Sequence, residues 1–396
     1  MIPSHVPQNL VMDIDHFDLP GHREDPFLAW KTVQSKSNEL AYSPRHGGFW
    51  IAMRGKALSD LYRDNINLSN KYITIPALES HLHIIPGESD APLHPSYRAV
   101  LQPSFLPKSV DAMEKRVRQV ATEQIEHLKS RGGCEFIGEF GHVMPIVVFL
   151  GLVDLPLDDK PRMMEWAEAA TREGDIKQRM KAFQETLDYL DHWIKLRKEQ
   201  PGKDLISVIA NSRIGERQIS DDEALGMSAN VLLGGLDTIA STMGFIARFL
   251  ADNPKHRKLL IARPELIPAA VDEFLRRFSI ANLSRVVARD FVYNGVTMKT
   301  GDRLLLPTCL HGMDERVFKD PLSVNFERGT EANILAFGNG PHRCLGMYLA
   351  RFELRIFLQE WLARIPHFEV TPGQQPVASG GTVLAMTSLP LSWTTH

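Results

Sequence analysis

The stretch Phe337-Gly338-Asn339-Gly340-Pro341-His342-Arg343-Cys344-Leu345-Gly346 determines how the rest of this 396-residue chain is interpreted. Two glycines and a proline in so short a span predict a tight turn with an exposed backbone. Apolar residues recur at helical spacing after the turn, which predicts that Cys344 lies where a helix begins.

The chemistry of Cys344 follows from that position. Amides at a helix N-terminus stabilise negative charge, and His342 and Arg343 add donors or positive charge, so we expect the thiol to lose its proton easily. A thiolate of this kind acts as a nucleophile or binds a metal. A single cysteine is more often an inert buried side chain, and the loop alone does not decide among the three.

Composition excludes several classes of protein. Hydrophobic residues make up 43% of the chain, which is enough for a substantial core and argues against disorder. The net charge of -3 argues against nucleic-acid binding through a broad basic surface. Cys134, Cys309 and Cys344 are far apart in sequence and form no C-x-x-C pair, so neither a disulfide framework nor a structural zinc site is expected.

Targeting and membrane signals are also missing from the sequence. The first residues show no basic start followed by an apolar run, and no window approaches the roughly 20 apolar residues of a membrane span. We therefore expect a soluble, cytoplasmic protein in a reducing compartment, without a membrane partner.

The pattern of helix and strand signals predicts one mainly α domain with small β-sheets over residues 1–396. Helical patterns dominate residues 96–209, where we expect helices at 108–130, 139–151, 159–174 and 176–199. Strand signals with two hairpin turns occupy residues 286–306. Within this domain we distinguish a surface segment at 1–45, a long connection at 65–95, a long helix at 220–252 and the cysteine loop at 337–346.

The long helix contains Leu233-Gly234-Gly235-Leu236-Asp237-Thr238 near its middle. Each glycine in a helix interior costs roughly 1 kcal/mol relative to alanine, so the pair predicts a close approach, for example of a flat ligand. Asp237 and Thr238 place an acid and an alcohol beside that gap. The alternative is a notch for helix packing with a solvated aspartate.

Three further patterns have an ordinary and a functional interpretation. Glu273 and Arg276, three apart, are by themselves a surface salt bridge. His94 and Arg98 are by themselves ordinary surface residues. The segment His81-Leu82-His83 suggests a metal pair, but we interpret it as two loop histidines.

The pattern F-G-x-G-x-H-x-C-x-G closely resembles the haem-ligand loop of the cytochrome P450 superfamily. The resemblance extends in order from about residue 45 to the end and is greatest to the bacterial camphor-hydroxylase branch, through Gly234–Thr238, Arg277–Ser279 and Ser388–Leu391. It implies a triangular, mostly helical prism that encloses one haem b per chain. It also implies that residues 65–95 form a substrate-access and recognition loop.

The resemblance assigns roles to individual residues of this sequence. Cys344 is the axial ligand of the haem iron, and Asp237 and Thr238 manage protons on the opposite haem face. Glu273, Arg276 and Arg328 form a triad that holds the fold. The residues expected to contact the haem or its propionates are His94, Arg98, Arg285, His342, Phe337, Gly338, Gly234 and Gly235.

One departure from the resembled branch concerns the substrate. The camphor hydroxylase has a tyrosine that donates a hydrogen bond to the substrate ketone, and Leu82 occupies that position here. His81 or His83 is a substitute donor if the loop shifts, and Asn230 introduces an amide where the branch is apolar. We therefore expect a terpenoid, a norisoprenoid or a similar small apolar molecule rather than camphor. The implied pocket residues are Ile73, Ile75, Leu82, Asn230, Leu233, Ala281, Thr382 and Val383.

The resemblance also implies redox partners. Arg98, Arg343 and Arg351 would make the proximal face basic, as suits an acidic [2Fe-2S] ferredoxin that is reduced by a separate flavin reductase. The 396 residues contain no reductase domain, so we expect electrons to come from outside. Three alternatives remain at this point: a peroxygenase that uses hydrogen peroxide, a haem-binding sensor or carrier without oxidation, and, more distantly, a cysteine hydrolase.

Overall fold

A computed structural model describes residues 2–77, 82–171, 176–329 and 334–395. The helices in chain order are α1 Pro26–Ser35, α2 Gly55–Arg63, α3 Leu93–Leu101, α4 Pro107–Asp111, α5 Glu114–Lys129, α6 Val143–Leu152, α7 Lys160–Thr171, α8 Ile176–Glu199, α9 Leu205–Ala210, α10 Asp221–Asp252, α11 Pro254–Ala262, α12 Ile267–Arg277, α13 Thr308–Gly312 and α14 Met347–Arg364.

The strands are short and lie at the periphery of the helices. They are β1 Leu40–Ser43, β2 Phe49–Ala52, β3 Leu68–Ser69, β4 Gly133–Glu135, β5 Arg213–Ile214, β6 Arg217–Gln218, β7 Asn282–Val287, β8 Phe291–Tyr293, β9 Val296–Met298, β10 Arg303–Pro307, β11 Glu369–Val370, β12 Val377–Ser379, β13 Ala385–Ser388 and β14 Pro390–Ser392. The predicted fold class, mainly α with small sheets, is confirmed.

The helix α10 is the longest element of the described chain and runs through its core. The Ser220 side chain accepts a hydrogen bond from the Glu223 amide, and the Glu223 carboxylate accepts one from the Ser220 amide. This capping box satisfies two of the free amides at the helix start. Packing against α6, α8, α9 and α14 then supports the helix over 32 residues.

The largest sheet has five strands in the order β1-β2-β10-β7-β3. Strands β2 and β10 are parallel, and the other neighbours are antiparallel. On the far side of β7, the amide of Ser284 donates to the Ile73 carbonyl at 2.8 Å. The sheet therefore brings the 65–95 connection alongside residues that follow α12.

Most element predictions agree with the structure, and three differ. The single helix expected from residue 108 to 130 is divided into α4 and α5, because the backbone turns at Ala112 and Met113. The helix expected from residue 139 begins instead with a π-helical turn at Ile137–Gly141, followed by α6. The predicted hairpin turn at Asn294-Gly295 is present and joins the paired strands β8 and β9. The turn at Gly301 is also present, but the prediction that it forms a hairpin is wrong, because it connects β9 to β10, which lies in the five-stranded sheet.

Two clusters of buried apolar residues form the core. The larger cluster lies under the five-stranded sheet, α5, α12 and α14, and the smaller lies among α6, α8, α9 and the first half of α10. Among the described residues, α10 is the one helix long and apolar enough to cross a membrane, and 56% of its most apolar window is buried inside the protein. That degree of burial is typical of a core helix.

Candidate functional site

The cysteine loop is held by its own backbone. Gly338 and Gly340 have φ angles of +67° and +70°, in the left-handed region that side chains other than glycine rarely adopt. A Cβ atom at Gly340 would also lie 3.0 Å from the Arg63 Cα. The Cys344 amide donates to the Phe337 carbonyl at 2.9 Å, which closes the loop just before α14 begins.

Cys344 differs from the two other cysteines in its surroundings. Cys134 and Cys309 are buried, whereas the surface of Cys344 is open. Although open, the sulfur lies deep in the protein, and burial raises the pKa of its thiol. The Gly346 amide and the guanidinium groups of Arg98, Arg343 and Arg351 lower that pKa but do not outweigh the burial. A sulfur that is both deep and open lines an internal space.

The thiol is therefore harder to deprotonate in the protein alone than its place in the sequence predicts. The prediction considered the helix terminus and the neighbouring charges, but not the cost of burying a thiolate. A metal cation at the sulfur would supply the missing positive charge, because coordination deprotonates a thiol outright. The open, deep sulfur of Cys344 thus suits a metal ligand better than a free nucleophile.

The middle of α10 borders an open space. The helix is largely buried from Ala224 to Leu232 and again from Ile239 to Ala247, but Leu233 is 41% exposed and Gly234 is exposed as well. A Cβ atom added at Gly234 or Gly235 would meet no atom within 4 Å. Exposed residues flanked on both sides by buried ones show that this strip of the helix faces an internal space.

Neighbours of the two motifs pack on the same apolar cluster. Leu236, next to the paired glycines, and Leu345, next to Cys344, both contact the smaller of the two core clusters. In addition, α10 contacts α14, the helix that follows the cysteine loop. The structure therefore brings the glycine strip and the cysteine loop, more than a hundred residues apart in sequence, into one region.

Thr238 and Asp237 lie at the end of the open strip. The Thr238 hydroxyl donates to the Gly234 carbonyl at 2.7 Å, and the Thr242 hydroxyl donates to the Thr238 carbonyl at 2.7 Å. Each hydroxyl group thus donates a hydrogen bond to the carbonyl oxygen four residues earlier in the helix. Burial raises the pKa of the Asp237 carboxyl, so this group keeps its proton to a higher pH than an ordinary aspartate.

Four basic side chains gather near the cysteine loop. The rings of His94 and His342 lie 3.9 Å apart. Burial, followed by the positive charges of His94, Arg285 and Arg98, lowers the pKa of His342 to about 3. Burial also lowers the pKa of Arg285 and of Arg98. The four residues expected at the haem propionates are thus close enough to disturb one another electrostatically.

This cluster has an excess of positive charge. Within the part of the chain that the structure describes, none of the four side chains forms an ion pair with a carboxylate. Asp90 is near His94 and Arg285, but its oxygens accept hydrogen bonds from the Asn70 amide and the Ser69 hydroxyl. Buried cations normally have an anionic partner. A ligand that carries two carboxylates would provide the counter-charge.

These observations fit a haem group. The space beside Gly234 and Gly235 suits a flat ring, the open sulfur of Cys344 suits an iron ligand, and the basic cluster suits two propionates. The arrangement of a thiolate-forming loop opposite a glycine-containing helix defines a haem-thiolate protein.

The predicted pocket residues come mostly from segments that hydrogen bond to one another. Ala281 forms an isolated antiparallel bridge with Val383, and the Asn282 amide donates to the Thr382 carbonyl at 2.8 Å. Ile73 joins the same group through its carbonyl bond to Ser284. These contacts bring Ile73, Ala281, Thr382 and Val383 together at one end of the five-stranded sheet.

The other predicted pocket residues are placed less uniformly. A Cβ atom at Gly87 would lie 3.2 Å from Asn230 Oδ1 and 3.8 Å from Ile73 Cδ1, so Gly87 lies close to both side chains. Leu82 is half-buried and packs on the smaller core cluster. Ile75 is instead buried in the larger core cluster. His81, considered as a substitute hydrogen-bond donor, lies outside the described residues.

The predicted structural triad is buried and fully bonded. Glu273 and Arg276 are each 1% exposed, and the Arg276 guanidinium donates twice to the Glu273 carboxylate, at 2.8 and 2.9 Å. The Arg328 Nε donates to the same carboxylate at 3.1 Å, and the Asn325 amide donates at 2.9 Å. The three residues tie α12 to the segment that leads into the cysteine loop.

The three arginines expected on the proximal face do not contribute equally to its positive charge. Arg98 belongs to the basic cluster beside His342, and Arg351 donates to Asp272 at 2.7 Å, which offsets its charge. Arg343 is exposed. It lines a surface depression of about 380 Å³ together with Pro268, Val271, Asp272, Met347, Tyr348, Arg351, Phe352 and Arg355.

Sequence reasoning missed three residues at the site. Tyr62 packs against Gly338, and the Arg285 guanidinium lies over the Tyr62 ring, 5.2 Å from its centre. The Tyr62 hydroxyl donates to the Leu306 carbonyl at 3.0 Å. Gly87 allows the close approach to Asn230, and Arg355 adds a cation to the proximal depression. None belongs to a motif, although Arg355 is recognisable as a basic residue two turns into the helix after Cys344.

Comparison with known proteins identifies the family. A family model described as "Cytochrome P450" matches residues 160–394. A "Probable cytochrome P450 127A1" of Sinorhizobium fredii is 32% identical over 402 residues, which cover 99% of this chain and 97% of that protein. The crystal structure of cytochrome P450 CYP101C1 is 38% identical with a TM-score of 0.93, and that of CYP101J2 is 32% identical with a TM-score of 0.88; each alignment covers all of both chains.

The chain belongs to the cytochrome P450 superfamily. The predicted family, its camphor-hydroxylase branch and the monooxygenase class are confirmed by these matches, and the family uses one haem b per chain.

Proposed function

We propose that this protein is a ferredoxin-dependent monooxygenase that hydroxylates a small apolar molecule of the terpenoid or norisoprenoid type. The open strip of α10 is the observation that carries this proposal. It leaves room for a haem and a small substrate beside a helix that is otherwise buried. As expected from the sequence, we propose that the whole chain acts as one domain in the cytoplasm.

The haem is held by the loop, the strip and the basic cluster. Cys344 would provide the sulfur ligand, Phe337 and Gly338 would contact the haem beside it, and Gly234 and Gly235 would leave space for the ring. The propionate partners are His94, Arg98, Arg285 and His342. When bound, the haem supplies oxygen activation with two electrons.

Asp237 and Thr238 are proposed to handle protons for that chemistry. Thr238 is hydrogen-bonded to the Gly234 carbonyl, which orients its hydroxyl along the open strip. Asp237 is held in an environment that raises its pKa, so its carboxyl takes up and releases a proton more readily near neutral pH. The pair thus provides a donor at the strip and an acid behind it. A protein that uses hydrogen peroxide directly has no need of such a pair.

Asn230 is the proposed polar contact of an otherwise apolar pocket. Its Oδ1 faces Gly87, and the Ile73 side chain approaches the same glycine, so apolar surface lies beside the amide. One amide among apolar side chains selects a small molecule that carries a single polar group. A terpenoid ketone or a norisoprenoid ketone has that chemistry.

A screen of substrate-induced spectral change tests the pocket. Terpenoids and norisoprenoids that bind are expected to shift the haem absorbance from low to high spin. Asn230→Leu is expected to weaken ketone ligands about 10-fold, the worth of one hydrogen bond, and to leave matched hydrocarbons unchanged. Equal loss for ketones and hydrocarbons would contradict the role of Asn230, and no response to any terpenoid or norisoprenoid would contradict the substrate class.

The proximal depression is the proposed ferredoxin site. Arg343 and Arg355 present the positive charge there, since Arg98 faces the inner cluster and Arg351 is paired with Asp272. Opposite charges steer the two proteins together, so the association rate falls as salt rises.

Charge reversal on this face tests the partner. Arg355→Glu is expected to slow reduction by an acidic [2Fe-2S] ferredoxin and to weaken its salt dependence, with no change in substrate affinity. Lys203→Glu is the control, because it makes the same charge reversal at an exposed site outside the depression. Turnover supported by hydrogen peroxide but not by a ferredoxin and its reductase would overturn the proposed electron supply.

The axial ligand has its own test. The reduced carbon monoxide complex of the wild type is expected to absorb near the red-shifted position typical of a thiolate ligand. Cys344→His is expected to lose that absorbance and to keep haem, whereas Cys309→Ala, at a buried thiol outside the site, is expected to keep it. An unchanged spectrum in Cys344→His would disprove the assignment.

A further inference from the structure

Asp15, His16 and His46 lie together on the side of the five-stranded sheet near β1 and β2. Asp15 and His16 belong to the N-terminal segment, and His46 lies in the turn between β1 and β2. One ligand atom from each residue lies within 4.8 Å of the ligand atoms of the other two. This cluster is separate from the haem site and plays no part in the proposed monooxygenase chemistry.

His16 is the unusual member of the cluster. The residue is 1% exposed, and neither ring nitrogen forms a well-aligned hydrogen bond among the described residues, although the backbone of Ile75 lies close to the ring. A buried polar group without a partner costs free energy, so native proteins rarely retain one without a reason.

Asp15 and His46 complete a set of donor atoms next to that ring. The His46 Nε2 lies 2.9 Å from Asp15 Oδ1, which also accepts the Phe17 amide at 3.0 Å. Among the described residues, Asp15 Oδ2 accepts no hydrogen bond. The side chains of His46 and Asp15 are 25% and 31% exposed, so an ion can reach the buried ring from solvent.

Aromatic rings surround the His16 ring, and one arginine lies close to the cluster. The His16 ring lies 4.2 Å from the Phe17 ring and 5.5 Å from the Phe49 ring, centre to centre. Arg45 is the nearest basic residue in sequence, but its guanidinium donates twice to the Asp13 carboxylate, at 2.5 and 2.8 Å. Asp13 therefore takes the hydrogen bonds of Arg45, whose charge acts on Asp15 only through space.

We propose that Asp15, His16 and His46 bind a divalent transition-metal ion, with Zn²⁺ as the preferred ion. Two imidazole nitrogens and one carboxylate oxygen are a common donor set for zinc, which takes water at a fourth position. Ca²⁺ and Mg²⁺ prefer oxygen donors and are not expected to bind. Zinc ligands at about 2.1 Å from the ion are roughly 3.4 Å apart, so side-chain rotations must close separations of up to 4.8 Å by as much as about 1.4 Å.

A metal at this position would connect the N-terminal segment to the substrate pocket. The Gly381 amide donates to the His16 carbonyl at 3.1 Å, one residue before the pocket residues Thr382 and Val383. The His16 ring also lies near the backbone of Ile75 in the 65–95 connection. The metal site would therefore brace both segments from outside the pocket. The simpler alternative is an Asp15–His46 ion pair against aromatic rings, with no metal.

Metal binding by the untagged holoprotein distinguishes the two. After equilibrium dialysis against Zn²⁺ at pH 7.5 and metal analysis, the wild type is expected to retain one tight zinc per chain. His46→Ala and Asp15→Asn are expected to weaken that binding by at least about 10-fold. His367→Ala, which removes an exposed histidine outside the cluster, is the control and is expected to bind like the wild type.

Folding is checked independently of zinc. His46 and Asp15 are partly exposed, so both variants are expected to keep the haem spectrum, and Zn²⁺ is expected to raise the melting temperature of the wild type but not of the variants. The proposal is overturned if the wild type binds no zinc, or if His46→Ala and Asp15→Asn bind it as tightly as His367→Ala does. Neither result depends on turnover, so the monooxygenase proposal stands or falls separately.

Discussion

Replacement of Glu353 by glutamine is expected to stabilise the protein at neutral pH and to have little effect in mild acid. Glu353 lies on α14, is 2% exposed, and its Oε2 has no hydrogen-bond partner within the described residues. Burial raises the pKa of its carboxyl from 4.5 to about 8. The carboxyl is therefore mostly neutral in the folded protein at pH 7, whereas the unfolded chain ionises it.

The magnitude follows from the difference between the two pKa values. Below about pH 4.5 both states hold the proton, and as pH rises toward 8 the unfolded state is increasingly favoured by ionisation. The resulting cost to folding is about 1 kcal/mol at pH 5 and about 3 kcal/mol at pH 7. Glutamine does not ionise and has nearly the same shape, so Glu353→Gln removes this cost.

Thermal unfolding of the holoprotein measures the effect. For a chain of this size, about 3 kcal/mol corresponds to a rise in melting temperature of roughly 4 °C at pH 7, against about 1 °C at pH 5. Glu360→Gln, on the same helix, is the control with the opposite sign, because Glu360 accepts hydrogen bonds from Arg118 and Arg364. The same shift for Glu353→Gln at both pH values, or a destabilisation at both, would refute the reasoning.

Three further predictions concern other parts of the molecule. Glu273→Ala is expected to lower the free energy of unfolding by about 3–5 kcal/mol or to prevent haem incorporation, because it leaves buried guanidinium groups unpaired. Urea unfolding measures this free energy, and a loss under about 1 kcal/mol would contradict the role of the buried triad. Thr238→Ala is expected to keep substrate binding but to divert electrons to hydrogen peroxide, and unchanged product per electron would contradict its role in proton transfer. Arg217 lowers the pKa of Glu223 to about 2. Glu223→Gln is therefore expected to lower the free energy of unfolding by its full amount above about pH 4.5 and by progressively less as pH falls toward 2. A loss of stability that does not depend on pH would argue against this ion pair.

The sequence determined the local features of this protein. The capping box at Ser220, the apolar periodicity of α10 and the turn residues of the cysteine loop act over a few positions, so they can be recognised without a structure. The same holds for the pairing of Glu273 with Arg276, whose spacing places them on one helix face. The resemblance carried by the cysteine loop then indicated the family, the haem and the reaction class.

The tertiary structure decided what depends on burial and on segments far apart in sequence. Burial raises the pKa of the Cys344 thiol above what its neighbours in the loop predict, and Asp272 offsets the charge expected of Arg351. Neither effect is encoded at a fixed spacing, because desolvation and long-range pairing depend on which elements pack together.

The same limit applies to sites without a motif. His16 and His46 are thirty residues apart and meet only because β1 and β2 pair and the N-terminal segment packs beside them. Glu353 reads as an ordinary polar position on a helix and is buried only because α14 contacts α5, α10 and α12 on different sides. The sequence thus determined the turn, the helices and the ligand loop, whereas packing alone decided which charged groups lost their water and which distant side chains met.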